Sequence, residues 1–251
     1  MEEERTDMAG RAREPDTTAA AKDRRAERIL DAAAELLAAL GYRRVSISEV
    51  ARRAGVGKGT VYLHFPTKEA LFLTVMMRAQ AALAERIIGD IRADPTAVLP
   101  HHSARLTYMG AHRDPVLRAL LVGDSETLGV LTREARRMVG DLLDQRRRAQ
   151  LDYFALLREK GLLRTDSPLD EQRRSYAIVV AGFLTSGPLV SAEGAAPETL
   201  AGMLATTVRN AFEAGPDPDP EAVHSAAPPV VEAFTEVQKR MREEIARLKL
   251  T

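Results

Sequence analysis

One stretch, residues 46–68, constrains the fold more than any other, because it contains a helix cap, a glycine turn and a second short helix. Ser46 and Glu49 have the spacing of a capping box, which predicts that a helix begins here. Apolar residues then recur at intervals of three and four and give this helix one apolar face: Ile47, Val50, Ala51 and Ala54. Gly55 has the backbone freedom that a sharp turn requires.

A second helix is predicted from Lys58 to His64, with Gly57 as its N-cap and Pro66 just after its end. Two short helices joined by a glycine turn make a helix-turn-helix, whose second helix lies in the DNA major groove. Lysine near a helix N-terminus suits phosphate, and threonine can offer a hydroxyl and a methyl group to base edges. The candidate DNA-binding residues are Arg44, Ser46, Lys58, Gly59, Thr60, Tyr62, His64 and Lys68. The alternative is a helical hairpin that only packs.

The charge of the chain is uneven, although its formal net charge is +0 and its pI is near 7.0. Residues 22–78 contain eleven Lys and Arg and six Asp and Glu, a difference of +5. Basic charge is therefore concentrated around the helix-turn-helix, as nucleic-acid binding requires. The rest of the chain is acidic by the same amount, which limits non-specific DNA binding elsewhere.

This segment resembles the DNA-binding domain of the TetR (tetracycline-repressor-like) family of bacterial transcription regulators. The similarity covers residues 22–72 and consists of these matches: Val45-Ser46-Ile47, Val50-Ala51, Ala54-Gly55-Val56, Lys58-Gly59-Thr60-Val61-Tyr62, His64-Phe65 and Lys68-Glu69-Ala70-Leu71. The resemblance implies that residues 58–62 face bases and that Tyr62, His64 and Lys68 contact phosphates. The sequence departs from the family at Gly57, where serine is frequent, and so lacks one possible phosphate contact.

Composition and periodicity divide the chain into five parts. They are a disordered, net acidic tail (1–21), the helix-turn-helix domain (22–66), a helical ligand-binding and dimerisation domain (67–214), a proline-rich linker (215–229) and a final helix (230–251). The predicted fold class is therefore all-α, with an N-terminal three-helix DNA-binding domain and a C-terminal helical domain. Within the latter, residues 123–129 are predicted as a loop or an irregular turn of helix. Arg146-Arg147-Arg148 is predicted as a solvated face of a long helix, 131–160, and a second nucleic-acid patch is the alternative.

Two predicted helices, one after Ser167-Pro168 and one from residue 197 to residue 214, are rich in small residues. The resemblance implies that they pair with their counterparts in a homodimer, and ordinary packing within one chain is the alternative. The resemblance also implies a small-molecule effector, held in an apolar cavity with a few polar groups. Candidate ligand-binding residues are Tyr108, Met109, His112, Met138, Phe154, Tyr176 and Phe183, and this apolar set favours a hydrophobic effector.

The sequence argues against several other classes. It contains no cysteine, no apolar run of membrane-spanning length and no secretory signal pattern, so a cytoplasmic location is expected. We find no nucleophile–base pair, phosphate loop or zinc-helix spacing, and we predict no cofactor, no metal and no enzymatic activity. The predicted function is that of a repressor, homodimeric on a palindromic double-stranded DNA operator and released by its effector. The alternatives are an activator or regulator without an effector and a helical protein–protein adaptor.

Overall fold

A computed structural model describes residues 15–122, 125–190 and 195–249. The described residues form ten α-helices: α1 (Pro15–Leu40), α2 (Ile47–Ala54), α3 (Lys58–His64), α4 (Lys68–Ala93), α5 (Pro100–Arg113), α6 (Pro115–Val122), α7 (Ser125–Glu159), α8 (Leu169–Val190), α9 (Pro197–Phe212) and α10 (Pro220–Lys249). One 3₁₀ turn, Pro95–Val98, precedes α5. No strand forms within these ranges, where a single antiparallel bridge joins Leu163 to Glu213. The predicted all-α class is confirmed.

The N-terminal head consists of α1, α2 and α3 around a small apolar core. Ile29 and Leu30 of α1, Val50 of α2 and Val61 of α3 are fully buried, and Phe65 closes the core after α3. These residues belong to the apolar faces that their spacing predicts. Leu40, the last residue of α1, is by contrast 40% exposed. The head thus buries one side of α3 and leaves its other side exposed.

The body is organised around α4 and α10, which run antiparallel along each other. Arg92 contacts Thr235, Arg242 pairs with Glu85 at 3.2 Å, and Lys249 reaches the head beside Arg78. Met77 of α4 is buried in a cluster with Leu142 of α7 and Met241 of α10. The last described helix therefore packs along the whole length of the helix that leaves the head.

Three predictions about the less regular segments need correction. Of the predicted disordered tail, residues 1–14 lie outside the described residues, and Pro15–Ala21 is already helical. Of the segment 123–129, predicted as a loop or an irregular turn of helix, residues 123–124 lie outside the described residues, and residues 125–129 are the regular beginning of α7. Residues 220–229 of the predicted linker belong to α10, although Pro228 and Pro229 each remove a backbone donor from that helix. Apolar contacts of Ala226, Ala227 and Val230 hold this part of α10 on the body.

Within the described ranges, no helix is both long and apolar enough to cross a lipid bilayer.

Candidate nucleic-acid interface and internal cavity

The turn between α2 and α3 forms as its sequence predicts. The Ser46 hydroxyl accepts from the Glu49 amide at 3.2 Å, and the Glu49 carboxylate accepts from the Ser46 amide at 2.8 Å, so the capping box is complete. Gly55 has a φ of 66°, the left-handed conformation that only glycine adopts without strain. Gly57 then caps α3 with extended backbone geometry.

The outer face of α3 carries a cluster of exposed side chains with mixed chemistry. Lys58 and Gly59 are exposed, Thr60 is partly exposed and Tyr62 is 44% exposed. The Lys58 ammonium lies 6.0 Å from the centre of the Tyr62 ring, so cation and phenol form one surface. Leu63, which is not among the predicted DNA-binding residues, is 69% exposed on the same short helix. A leucine this exposed can contact the methyl group of thymine.

Three other predicted DNA-binding residues lie at the edges of the head. Arg44 is exposed just before α2, and the exposed Ser46 has its hydroxyl engaged with Glu49. Lys68 is partly buried, with its ammonium 4.3 Å from the centre of the Tyr42 ring. Burial lowers the pKa of Lys68 below its ordinary value. Lys68 is thus oriented by Tyr42, whose hydroxyl in turn donates to Glu69 at 3.0 Å.

The phosphate contact that we predicted for His64 is wrong for this arrangement, because the residue is only 2% exposed. Its ring hydrogen-bonds the main chain of Lys249, at the end of α10. Burial, with the nearby charges of Lys22 and Arg25, lowers the pKa of His64. A neutral, buried imidazole serves to pack α3 against the end of α10. Spacing on a seven-residue helix could not distinguish this inward position from the outward position of Tyr62.

Ion pairs connect the head to the body. Arg78 of α4 pairs with Glu27 at 2.9 Å and with Asp31 at 2.8 Å, both on α1. Lys249 of α10 pairs with Asp23 and Glu27. These charged groups, with Arg242 and Glu85, line an open cleft of about 450 Å³ between α1, α4 and α10. Since its charges already neutralise one another, the cleft has no evident need of a ligand.

A more enclosed cavity of about 330 Å³ lies inside the body, a size typical of small-molecule sites. Residues of α4, α5, α6, α7, α8 and α10 line it, and most of its wall is apolar. Its polar groups are Gln80, Ser103, Thr107, Arg146, Gln150 and Arg173, together with the tyrosines Tyr153 and Tyr176. Ser103 and Tyr176 share a hydrogen bond of 3.0 Å, and burial raises the pKa of Tyr176 to about 12.

Two of the seven predicted ligand-binding residues, Phe154 and Tyr176, line this cavity. The other five do not: Tyr108 and Met109 are buried in the main core, Met138 and Phe183 pack against core clusters, and His112 is exposed on α5. Apolar residue type alone does not separate a cavity wall from a filled core. The prediction also missed the two arginines of the wall, because a charge run on a helix favours a solvated face.

Histidine is used structurally where α5 meets α9. The ring of His101 is buried, its Nδ1 donates to the Glu213 carboxylate at 2.8 Å, and its Nε2 accepts from Arg209 at 2.7 Å. Both nitrogens are therefore occupied in a neutral tautomer. Throughout the described part of the chain, no group of three or more potential ligands could hold a metal ion.

Comparison with known proteins agrees with this architecture. The family model of bacterial regulatory proteins, tetR family, matches residues 29–75, which extend from α1 into α4. The fatty acid metabolism regulator protein of Bacillus subtilis is 38% identical over 69 residues, or 28% of this chain and 36% of that protein. The A-factor receptor protein of Streptomyces griseus is 50% identical over 48 residues, 19% of this chain and 17% of the receptor. These two matches thus span well under half of either relative.

The similarity in three dimensions extends beyond the head. The fatty acid degradation regulator FadR from Bacillus halodurans has a TM-score of 0.58, although only 17% of residues are identical. The superposition covers 73% of this chain and 94% of that structure, so the helical body shares its fold. The head of this chain, residues 29–75, therefore matches the model of bacterial regulatory proteins of the tetR family, and the helical body that follows it shares the fold of a fatty acid degradation regulator.

Proposed function

We propose that this protein is a homodimeric repressor of transcription that binds a two-fold related DNA operator and releases it when a small molecule fills the body cavity. The observation that carries the proposal is the exposed face of α3, where Lys58, Thr60 and Tyr62 are free to approach a duplex. The head that presents them has the concentrated positive charge that a polyanion attracts.

The second part of the proposal concerns two heads acting together. Helices α8 and α9 expose an apolar surface that one chain leaves uncovered, with Ile178 70% and Met203 53% exposed. Ala177 and Gly182 are exposed on the same helix as Ile178, and such small residues allow helices to approach closely. Pairing of this surface with its copy would place two α3 helices on successive major-groove half-sites.

The third part is the coupling of the cavity to the heads. Helix α4 lines the cavity through Gln80, Leu83 and Ile87 and begins directly after the head. A ligand that fits the cavity better when α4 is tilted would favour a spacing of the heads that no longer matches the operator. The cavity favours this function over that of a regulator without an effector.

The DNA-binding part can be tested with the full chain. An operator is first selected from random double-stranded DNA, and affinity is then measured by fluorescence anisotropy for the parent, Lys58→Ala and Tyr62→Ala. Each variant should bind about tenfold more weakly, since one contact to a charged or polar DNA group contributes about 1–3 kcal/mol. Lys58→Ala should also lower the slope of log affinity against log salt by about two, one for each subunit of the proposed homodimer.

Lys239→Ala is the matched control, because Lys239 is an exposed lysine of the body at 65% exposure. It should bind as the parent does. Parent-like affinity of both Lys58→Ala and Tyr62→Ala, or an absence of selectable DNA, would contradict the assignment of α3 as the DNA-reading helix.

A further inference from the structure

Arg146 occupies an unusual position in the body. It is the first of three consecutive arginines of α7, and its two neighbours, Arg147 and Arg148, are exposed. Arg146 instead lines the cavity, among apolar residues such as Leu117, Val180 and Met241. Burial lowers the pKa of its guanidinium, but an arginine in a protein remains protonated at neutral pH.

No charged partner compensates Arg146 within the described residues. Neither an ion pair nor a hydrogen bond of its guanidinium occurs there, and burial alone accounts for its lowered pKa. Arg146 is partly buried in the cavity wall, and a cation that is withdrawn from water without a counter-charge is unfavourable, so such charges normally have one. The cavity wall also contains two buried polar atoms without a hydrogen-bond partner, Arg173 Nε and Gln80 Oε1. These atoms indicate a cavity built for a polar occupant as well as an apolar one.

The two arginines lie at opposite ends of the cavity. Helices α7 and α8 run antiparallel, because the ring of Phe154 packs on Tyr176 at 5.4 Å and Arg158 donates to Gln172 at 2.9 Å. Arg146 precedes Phe154 on α7, and Arg173 precedes Tyr176 on α8. At 1.5 Å per residue, this places the two arginines about 16 Å apart along the helices.

The charges of Arg146 and Arg173 are not equivalent. Arg173 pairs with Asp170 at 3.4 Å, which leaves Arg146 as the cation without a described counter-charge. We propose that the cavity binds an organic anion whose single acidic head group pairs with Arg146 and whose apolar body extends along the cavity towards Arg173. This inference rests on the proposed function, because it assigns a chemical class to the effector.

Binding can be measured by isothermal titration calorimetry on the full chain without DNA. The probes are octanoate and decanoate, with 1-octanol as the neutral isostere and octylamine as the cationic one. Octanoate or decanoate should bind the parent, and Arg146→Gln should raise the Kd about tenfold or more, as expected for loss of a hydrogen-bonded charge pair. Arg146→Lys should restore part of the affinity, and Arg147→Gln, the exposed neighbour, should stay within about twofold of the parent.

Other readouts separate recognition of charge from a packing role. The Kd of 1-octanol should be unchanged by Arg146→Gln, and octylamine should not bind. Without ligand, Arg146→Gln should unfold at the same or a higher temperature than the parent, since it removes an unpaired buried charge. Octyl phosphate distinguishes the head groups: tighter binding than octanoate would identify a phosphate, and weaker binding a carboxylate, both through Arg146.

Several outcomes would overturn the inference. Arg146→Gln could lose octanoate and 1-octanol affinity equally, or could bind octanoate as the parent does. Octanoate affinity could be lost in Arg173→Gln instead of Arg146→Gln. Finally, the parent could bind neither octanoate nor decanoate. The DNA-binding proposal can survive each of these. If octanoate binds through Arg146 but leaves operator affinity unchanged, the anion site stands and release by an effector is refuted.

Discussion

At the scale of single residues, charge and hydrogen bonding decide which polar side chains are available for function. Ser46 is exposed, but its hydroxyl is committed to Glu49 and thus to the beginning of α2. His64 is committed to packing, whereas Tyr62, two residues earlier, faces outward. The sequence predicts the first case from the spacing of Ser46 and Glu49. It does not predict the second, because the partner of His64 is the main chain of Lys249, which lies far away in sequence.

The capping box makes the stability of the head depend on pH. Hydrogen bonds from Ser46 hold the pKa of Glu49 below its ordinary value of 4.5. The stabilisation is therefore fully present above about pH 4.5 and is lost as the pH falls through the lowered pKa. Thermal unfolding followed by circular dichroism should give a higher Tm for the parent than for Glu49→Gln at neutral pH, and this gap should narrow below about pH 4.5.

Glu236→Gln is a control for this experiment, because Glu236 is 59% exposed on α10 with one lysine partner at 4.0 Å. Its effect on Tm should be small at every pH. A gap between the parent and Glu49→Gln that stays constant down to pH 3 would mean that the carboxylate of Glu49 does not stabilise α2.

At the scale of helices, local signals predicted some elements well and others poorly. The capping box and the left-handed Gly55 act within a few residues, so α2 and α3 form as predicted, and the Thr67 cap fixes the beginning of α4 in the same local way. For α10 the local signal was misleading, since Pro228 and Pro229 indicate a linker. Burial of Ala226 and Val230 against the body outweighs the lost backbone hydrogen bonds, and sequence spacing does not contain that contact.

The attachment of α10 can be measured directly. Met241 is 4% exposed between α4 and α7, so Met241→Ala should lower the free energy of unfolding in urea by about 2–4 kcal/mol. Lys239→Ala, two residues earlier on the exposed face, should change it by less than about 0.5 kcal/mol. Equal effects of the two substitutions would mean that α10 does not pack on the body through this face.

At the scale of the whole molecule, the exposed surface of α8 and α9 is the proposed dimer interface, which would bring two heads together. Ile178→Glu places a charge in the middle of the proposed dimer surface, where it would be buried without a partner. Sedimentation equilibrium should then give the mass of a monomer, and operator affinity should fall about a hundredfold or more as the two heads lose their linkage.

Leu40→Glu is the corresponding control, because Leu40 is an exposed leucine of the head at 40% exposure and lies outside α8 and α9. This variant should remain a dimer. A dimeric Ile178→Glu protein would place the interface elsewhere on the molecule.

The walls of the cavity are the part of the structure that the sequence predicted least. Adjacent helical residues point about 100° apart. Only one of the three consecutive arginines of α7 can therefore face a given neighbour, and its identity depends on how α7 is rotated against α8 and α10. Phe154 and Tyr176, two of the candidate ligand-binding residues, line the cavity with their rings in contact, but the sequence did not predict that the space beside them is open. A filled core and a cavity wall use the same apolar residues, and their difference appears only when all six helices are assembled.

The position of Lys249 has a practical consequence. The end of α10 touches α1 through Asp23 and Glu27 and α3 through His64. A fluorophore attached there would sit within a few ångströms of α3, the helix that we propose reads the duplex. Under that proposal its emission should report on operator capture and release, and a bulky purification tag in the same place should interfere with both.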